Sequence, residues 1–124
     1  MAYLITLGEE SDFRINVEDF KNQLLSDWQS VQFENVKIPN DPLLLHWSLE
    51  IAEDTQLGAL HPDNQTISID GFPPSVARFT IWYRQKVPAT HKLFLFHDSA
   101  SVDDDIEVTT ETKEEELLER LNYL

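Results

Sequence analysis

Apolar residues recur along this chain with two different periods, and the changes from one period to the other mark its elements. Ala2 to Leu7 is a short apolar run stopped by Gly8, the signature of a strand. From Val17 the period becomes helical. Val17, Phe20, Leu24 and Trp28 fall on one stripe with Leu25 beside it, which predicts an amphipathic helix over Val17–Gln29. Asn16 stands at its N-cap, Asp19 at the third helical position, and Ile15 and Phe20 are placed to staple across the cap.

Residues 31–36 alternate weakly, as a minor strand would, and Ile38-Pro39-Asn40-Asp41-Pro42 is a turn-rich connection. Leu43, Leu45, Trp47, Leu49 and Ile51 then lie on one face at period two, opposite His46, Ser48 and Glu50, with Leu44 breaking the pattern. Leu57–His61 and Gln65–Asp70 flank Pro62-Asp63-Asn64, residues suited to a tight corner, so they form a hairpin with Ile67 and Ile69 inward. Gly71-Phe72-Pro73-Pro74 breaks the chain before a helix over Ser75–Val87, ended by Pro88, with its stripe at Val76, Phe79, Trp82, Tyr83 and Val87.

Leu93-Phe94-Leu95-Phe96 is a continuous apolar run ending at His97 and has the look of a strand buried on both faces. Strand, helix and buried strand across residues 65–96 suggest a right-handed crossover between parallel strands. A polar acidic loop, Asp98–Asp105, leads to a short edge strand, Ile106–Val108. Thr112 with Glu115 reads as a capping box for a last helix, whose apolar face is Leu117, Leu118 and Leu121 and whose first turn holds Glu114, Glu115 and Glu116. The expected architecture is one α+β domain over residues 1–124. It has a mixed, mostly antiparallel sheet of five to seven strands and three helices, in the order β-α-β-β-β-β-α-β-β-α.

Composition narrows the function classes. The 124 residues suffice for one core. The absence of cysteine removes disulfides, thiolate zinc sites and a cysteine nucleophile. The first ten residues have neither a basic region nor the apolar length of a signal peptide, and no run approaches a bilayer span, so a cytoplasmic protein is expected. Nine basic against 23 acidic residues give a formal net charge of −14. That charge repels nucleic acid and anionic membranes and favours encounter with a basic protein. A solvated surface with no partner accounts for the same acidity.

Sites for chemistry are sparse. Gly8, Gly58 and Gly71 are too far apart to build a phosphate loop, and no serine lies in a Gly-x-Ser-x-Gly elbow. His46, His61, His91 and His97 show no helical metal-ligand spacing. His97-Asp98 is the only adjacent histidine–carboxylate pair. Asp103, Asp105 and Glu107 match the first positions of a calcium loop with Glu114 at the twelfth, but Val108 stands where the loop requires glycine. Arg78, Arg84, Lys86 and Lys92 form an acid-free stretch around Trp82 and Tyr83, yet they do not share a helical face, which argues against a stacking platform for nucleic acid. Asn64-Gln65-Thr66 matches a glycosylation sequon at what reads as a hairpin corner.

These signals favour a non-catalytic module with no cofactor and no metal. Its binding residues would be Asp98, Asp103, Asp104, Asp105 and Glu107, set against a basic protein partner. Small size, acidity and missing catalytic signatures are shared with small inhibitor and immunity proteins that cover a basic toxin, a likeness of composition. The alternatives are a small metal-dependent enzyme using His97, Asp98 and Asp103–Asp105, or a self-associating protein in which the basic second helix meets an acidic surface of another copy. The non-enzymatic reading assumes that the aromatics are interior packing. An open cavity holding Trp82, Tyr83 or Phe96 beside an ionisable group would contradict it.

Overall fold

The computed structural model describes residues 2–34, 43–97 and 105–121. The turn expected at 38–42, together with Asp98, Asp103 and Asp104, lies outside the described residues. The elements in chain order are β1 (Ala2–Leu7), α1 (Val17–Asp27), β2 (Gln32–Phe33), β3 (Leu45–Ile51), β4 (Asp54–Leu60), β5 (Ile67–Asp70), α2 (Pro73–Arg84), β6 (Leu93–His97), β7 (Ile106–Val108) and α3 (Glu114–Arg120). The strands form one sheet in the order β2-β3-β4-β5-β1-β6-β7, and every pairing is antiparallel. The fold is α+β, in the expected order.

The expected crossover is corrected in one respect. β5 and β6 do run in the same direction, but β1 lies between them and pairs antiparallel with both, Tyr3 facing Ile69 on one side and His97 on the other. Among the described residues the sheet therefore has no parallel pair.

Register divides the sheet into two faces. Trp47, Leu49 and Ile51 of β3, Leu60 of β4, Ile67 and Ile69 of β5, Tyr3, Ile5 and Leu7 of β1, Leu93 and Leu95 of β6, and Ile106 and Val108 of β7 are all buried. They meet Phe20 and Leu24 of α1, Val76, Phe79 and Tyr83 of α2, and Leu117 of α3 in one core. Trp47 is the hub. Its indole packs edge-on to Phe20 at 5.4 Å and stacks with Phe79 at 6.1 Å. The indole also lies flat over Gly58, where any Cβ would collide with ring atoms; here glycine is required for the close approach.

Helix ends follow local rules where a side chain is within reach. The Asn16 carboxamide accepts from the Asp19 N–H at 3.0 Å, as its position predicts. α2 starts earlier than expected, because Pro73 and Pro74 form its first turn, where proline's fixed φ and missing N–H cost nothing. Its cap comes from a distant strand: one Asp54 carboxylate oxygen accepts from the Phe72 N–H at 2.9 Å and from the Ser75 hydroxyl at 2.8 Å. The Thr112 capping box does not form. Lys113 is the N-cap of α3, and the Thr112 hydroxyl instead accepts from the Thr109 N–H at 2.8 Å, closing a turn before the helix.

The corner at Asn64 is as expected, with φ 57°. Its carboxamide donates to the Ile15 carbonyl at 2.9 Å and its own carbonyl accepts from the Ile15 N–H at 2.7 Å, fastening the hairpin tip to the start of α1. Asp63 secures the corner by accepting from the N–H groups of Gln65 and Thr66 and from the Thr66 hydroxyl. Burial works against its charge, but those bonds and nearby His61 outweigh it and hold its carboxyl below the usual range. The corner between β3 and β4 gave no signal in the sequence. Ala52 and Glu53 both take positive φ, at 51° and 62°, in a two-residue hairpin turn.

Candidate functional site

The strand residues on the other face of the sheet make the surface that no described helix covers. Leu4, Thr6, Phe94, Phe96 and Ser68 are half-buried there, Leu57 is 48% exposed, and Ala59 is buried. β6 was expected to be buried on both faces, and this is corrected. Leu93 and Leu95 are fully buried on the helix side, while Phe94 and Phe96 alternate with them and stand half-exposed on the open side. The strand lies next to the sheet edge, so its second face has only the short β7 beyond it.

At this end of the open face is a groove of about 840 Å³. Thr6, Phe94 and Phe96 of the sheet line it together with two adjoining segments that serve as its walls, residues 7–11 and residues 90–92, and with Asp105 at the β7 side. The first wall forms because Gly8 continues the ladder, its N–H donating to the Lys92 carbonyl at 3.0 Å, and the chain then turns as the Ser11 N–H donates to the Gly8 carbonyl at 2.9 Å. Glu9 and Glu10 occupy that turn and are exposed.

The second wall is held from beneath by Arg84. Only 3% exposed, its guanidinium donates to the carbonyls of Val87, Pro88 and His91 at 3.0, 2.8 and 2.9 Å. Burial lowers its pKa, while the three carbonyl bonds replace water around a cation that stays charged. The phenol of neighbouring Tyr83, also buried, is pushed up by loss of solvation, so it remains a neutral core group.

The two walls are fastened together by the Ser11 hydroxyl and His91 Nδ1, 2.8 Å apart, with the His91 ring against Phe13 at 5.5 Å. A serine beside a histidine invites a nucleophilic reading. Here the hydroxyl oxygen already accepts from the Phe13 N–H at 3.2 Å, and no carboxylate among the described residues bonds to His91. Such a pair joins two loops; it lacks the third group that orients a catalytic base.

Of the expected binding residues, Asp105 lines the groove, half-buried, and Glu107 lies exposed on β7 opposite Phe94. His97 is not brought to them. It pairs with Tyr3 on the helix-covered side, its ring edge-on to the phenol ring at 5.1 Å, whereas Asp105 precedes inward-facing Ile106 and lies on the open side. No cluster of three metal-ligating side chains occurs among the described residues. His97 and Asp105 thus lie on opposite faces of the sheet, while Asp98, Asp103 and Asp104, the other residues of the metal-dependent alternative, lie outside the described residues.

The basic stretch is engaged within the chain. Arg78 pairs with Glu114 at 3.3 Å, Arg84 is buried, and Lys86 reaches Asp27 at 2.8 Å while lying over the Trp82 ring at 5.4 Å. The Lys86 ammonium and the Trp82 N–H hold the Asp27 carboxyl below its usual range. That leaves Lys92, which belongs to the groove.

Sequence reasoning missed Glu9, Glu10, His91, Lys92 and the outward phenyl rings. The one available signal was the alternation of Leu with Phe in residues 93–96, where a branched aliphatic core residue and a flat aromatic alternate at period two. The assumption that the aromatics are interior packing holds for Tyr83 but fails at Phe96, which lines an open groove beside ionisable Asp105. No helix among the described residues is long and apolar enough to cross a membrane. No protein-family model, no curated protein and no solved structure matches this chain.

Proposed function

We propose that this chain is a non-catalytic protein-binding module that docks a basic partner on the open face of its sheet, in the manner of a small inhibitor or immunity protein. One observation carries the reading: half-exposed Phe94 and Phe96 form an apolar floor beside Glu9, Glu10 and Asp105, carboxylates with no ion-pair partner among the described residues. An apolar centre with a charged rim suits a protein interface, and the net charge of −14 would steer a cationic partner towards it. The proposed contact surface adds to the expected Asp98, Asp103, Asp104, Asp105 and Glu107 the groove that Asp105 borders. A cytoplasmic setting belongs to the same proposal and accords with the absence of cysteine.

Phe96 beside Asp105 removes the buried-aromatic support for a non-catalytic module, and what supports that reading now is the engagement of the groove's own groups. Ser11 and His91 are occupied in joining the walls, and His97 lies on the other face.

The test is a titration of the labelled full chain with a cationic polypeptide, followed by nuclear magnetic resonance across a salt series. Reversing Glu9, Glu10 and Asp105 to lysine should weaken binding and flatten its salt dependence far more than reversing exposed Glu18, Glu111 and Glu115 elsewhere. Equal effects from the two triple variants would reduce the acidity to a diffuse field and sink the docking surface.

A further inference from the structure

The groove's shape and chemistry, taken with the basic-partner reading on which this step rests, specify more than a cation. We infer that it seats an arginine side chain of the partner, its guanidinium lying on the phenyl rings of Phe94 and Phe96 with its edges towards the flanking carboxylates.

Phe94 and Phe96 are two residues apart on one strand, so they project from the same face about 7 Å apart along it. Flat, half-exposed rings at that spacing form a surface for a flat group. Glu9 and Glu10 rise at one side of the floor and Asp105 at the other, three carboxylates against the single ammonium of Lys92. A compact, strongly hydrated lysine ammonium is satisfied by carboxylates alone and gains less from the rings. A guanidinium is planar and more weakly hydrated, stacks on aromatic faces, and presents N–H donors in the ring plane where carboxylates can accept them. The walls suit a fixed receptor, since Arg84 and the Ser11–His91 contact hold them in place from within the chain.

The experiment compares short oligo-arginine and oligo-lysine peptides of equal length and charge, titrated into the full chain carrying labelled phenylalanine. Phe94→Leu and Phe96→Leu would assign the two ring signals. The expected result is that the arginine peptide binds about three- to tenfold more tightly and shifts the Phe94 and Phe96 ring resonances. Phe96→Leu should then erase the preference while Phe96→Tyr keeps it. Equal affinity for the two peptides, or ring signals that stay still while binding persists, overturns the arginine seat and leaves the basic-partner reading standing. Failure of both peptides to bind at low salt overturns that reading, and the seat with it.

Discussion

The two faces of this sheet are built from the same strands, yet they are different materials. On the helix side, Ile5, Leu60, Ile67, Ile69, Leu93 and Leu95 are fully excluded from water and interlock with Phe79, Phe20 and Trp47. On the open side the same strands present Leu4, Thr6, Ser68, Phe94 and Phe96, in contact with solvent and alternating apolar with hydroxyl. Strand period makes such a division available to any sheet, and helices that pack on one side only make it real. The lesson concerns where free energy is placed. The closed face carries stability, and little of the fold depends on the rings and charges of the open face.

Substitutions can break that contrast. Phe79→Ala on the closed face should produce the largest effect, a loss of about 3–5 kcal/mol in urea unfolding, since a buried ring stacked on Trp47 is replaced by a cavity. Gly58→Ala should cost about 1–3 kcal/mol by driving a methyl group into the Trp47 indole, read in the same unfolding curves. Asp54→Ala should cost about 1–2 kcal/mol, because α2 has no side-chain cap of its own and loses the carboxylate that accepts from Phe72 and Ser75. On the open face, Phe96→Leu should move the unfolding midpoint by less than any of these, within about 1 kcal/mol, while abolishing arginine preference. If Phe96→Leu destabilised the chain as much as Phe79→Ala, the division between the faces would be wrong.

Acid titration sharpens the contrast at its smallest scale. Asp27 and Asp63 have carboxyls held below the ordinary range, so their contribution is complete above about pH 4 and disappears as pH falls through their lower folded-state values. Both fasten parts of the helix-bearing layer: Asp27 ties α1 to α2, and Asp63 secures the corner that holds α1's first turn. Asp27→Asn should therefore flatten the acid limb of the stability profile.

What could be read from the sequence follows from what is local in the structure. The Asn16 cap, the stripe of Phe20 and Leu24, the Asn64 corner and the inward Ile67 and Ile69 all depend on neighbours within a few residues, and each was legible. The Ala52-Glu53 turn was not, since neither residue prefers positive φ and only the pairing of β3 with β4 imposes it. The cap on α2 came from Asp54, eighteen residues before the Phe72 N–H that it accepts, which no capping pattern reaches. In β6 the apolar character of Leu and Phe alike points to burial. Whether its second face was covered depended on where β7 and the helices lay. The groove was the least legible feature, because its parts come from residues 6–11, 90–96 and 105, joined only by the sheet.

The position of β1 also affects the order in which the chain can fold during synthesis. Its two neighbours in the sheet begin at Ile67 and Leu93, so an emerging polypeptide carries Ile5 and Leu7 uncovered until most of the protein has left the ribosome. The meander β3–β4–β5 can pair early, but it presents a bare edge until β1 joins it. That interval is when a chaperone, or a wrong strand from another nascent chain, has access to the seam on which the finished sheet closes.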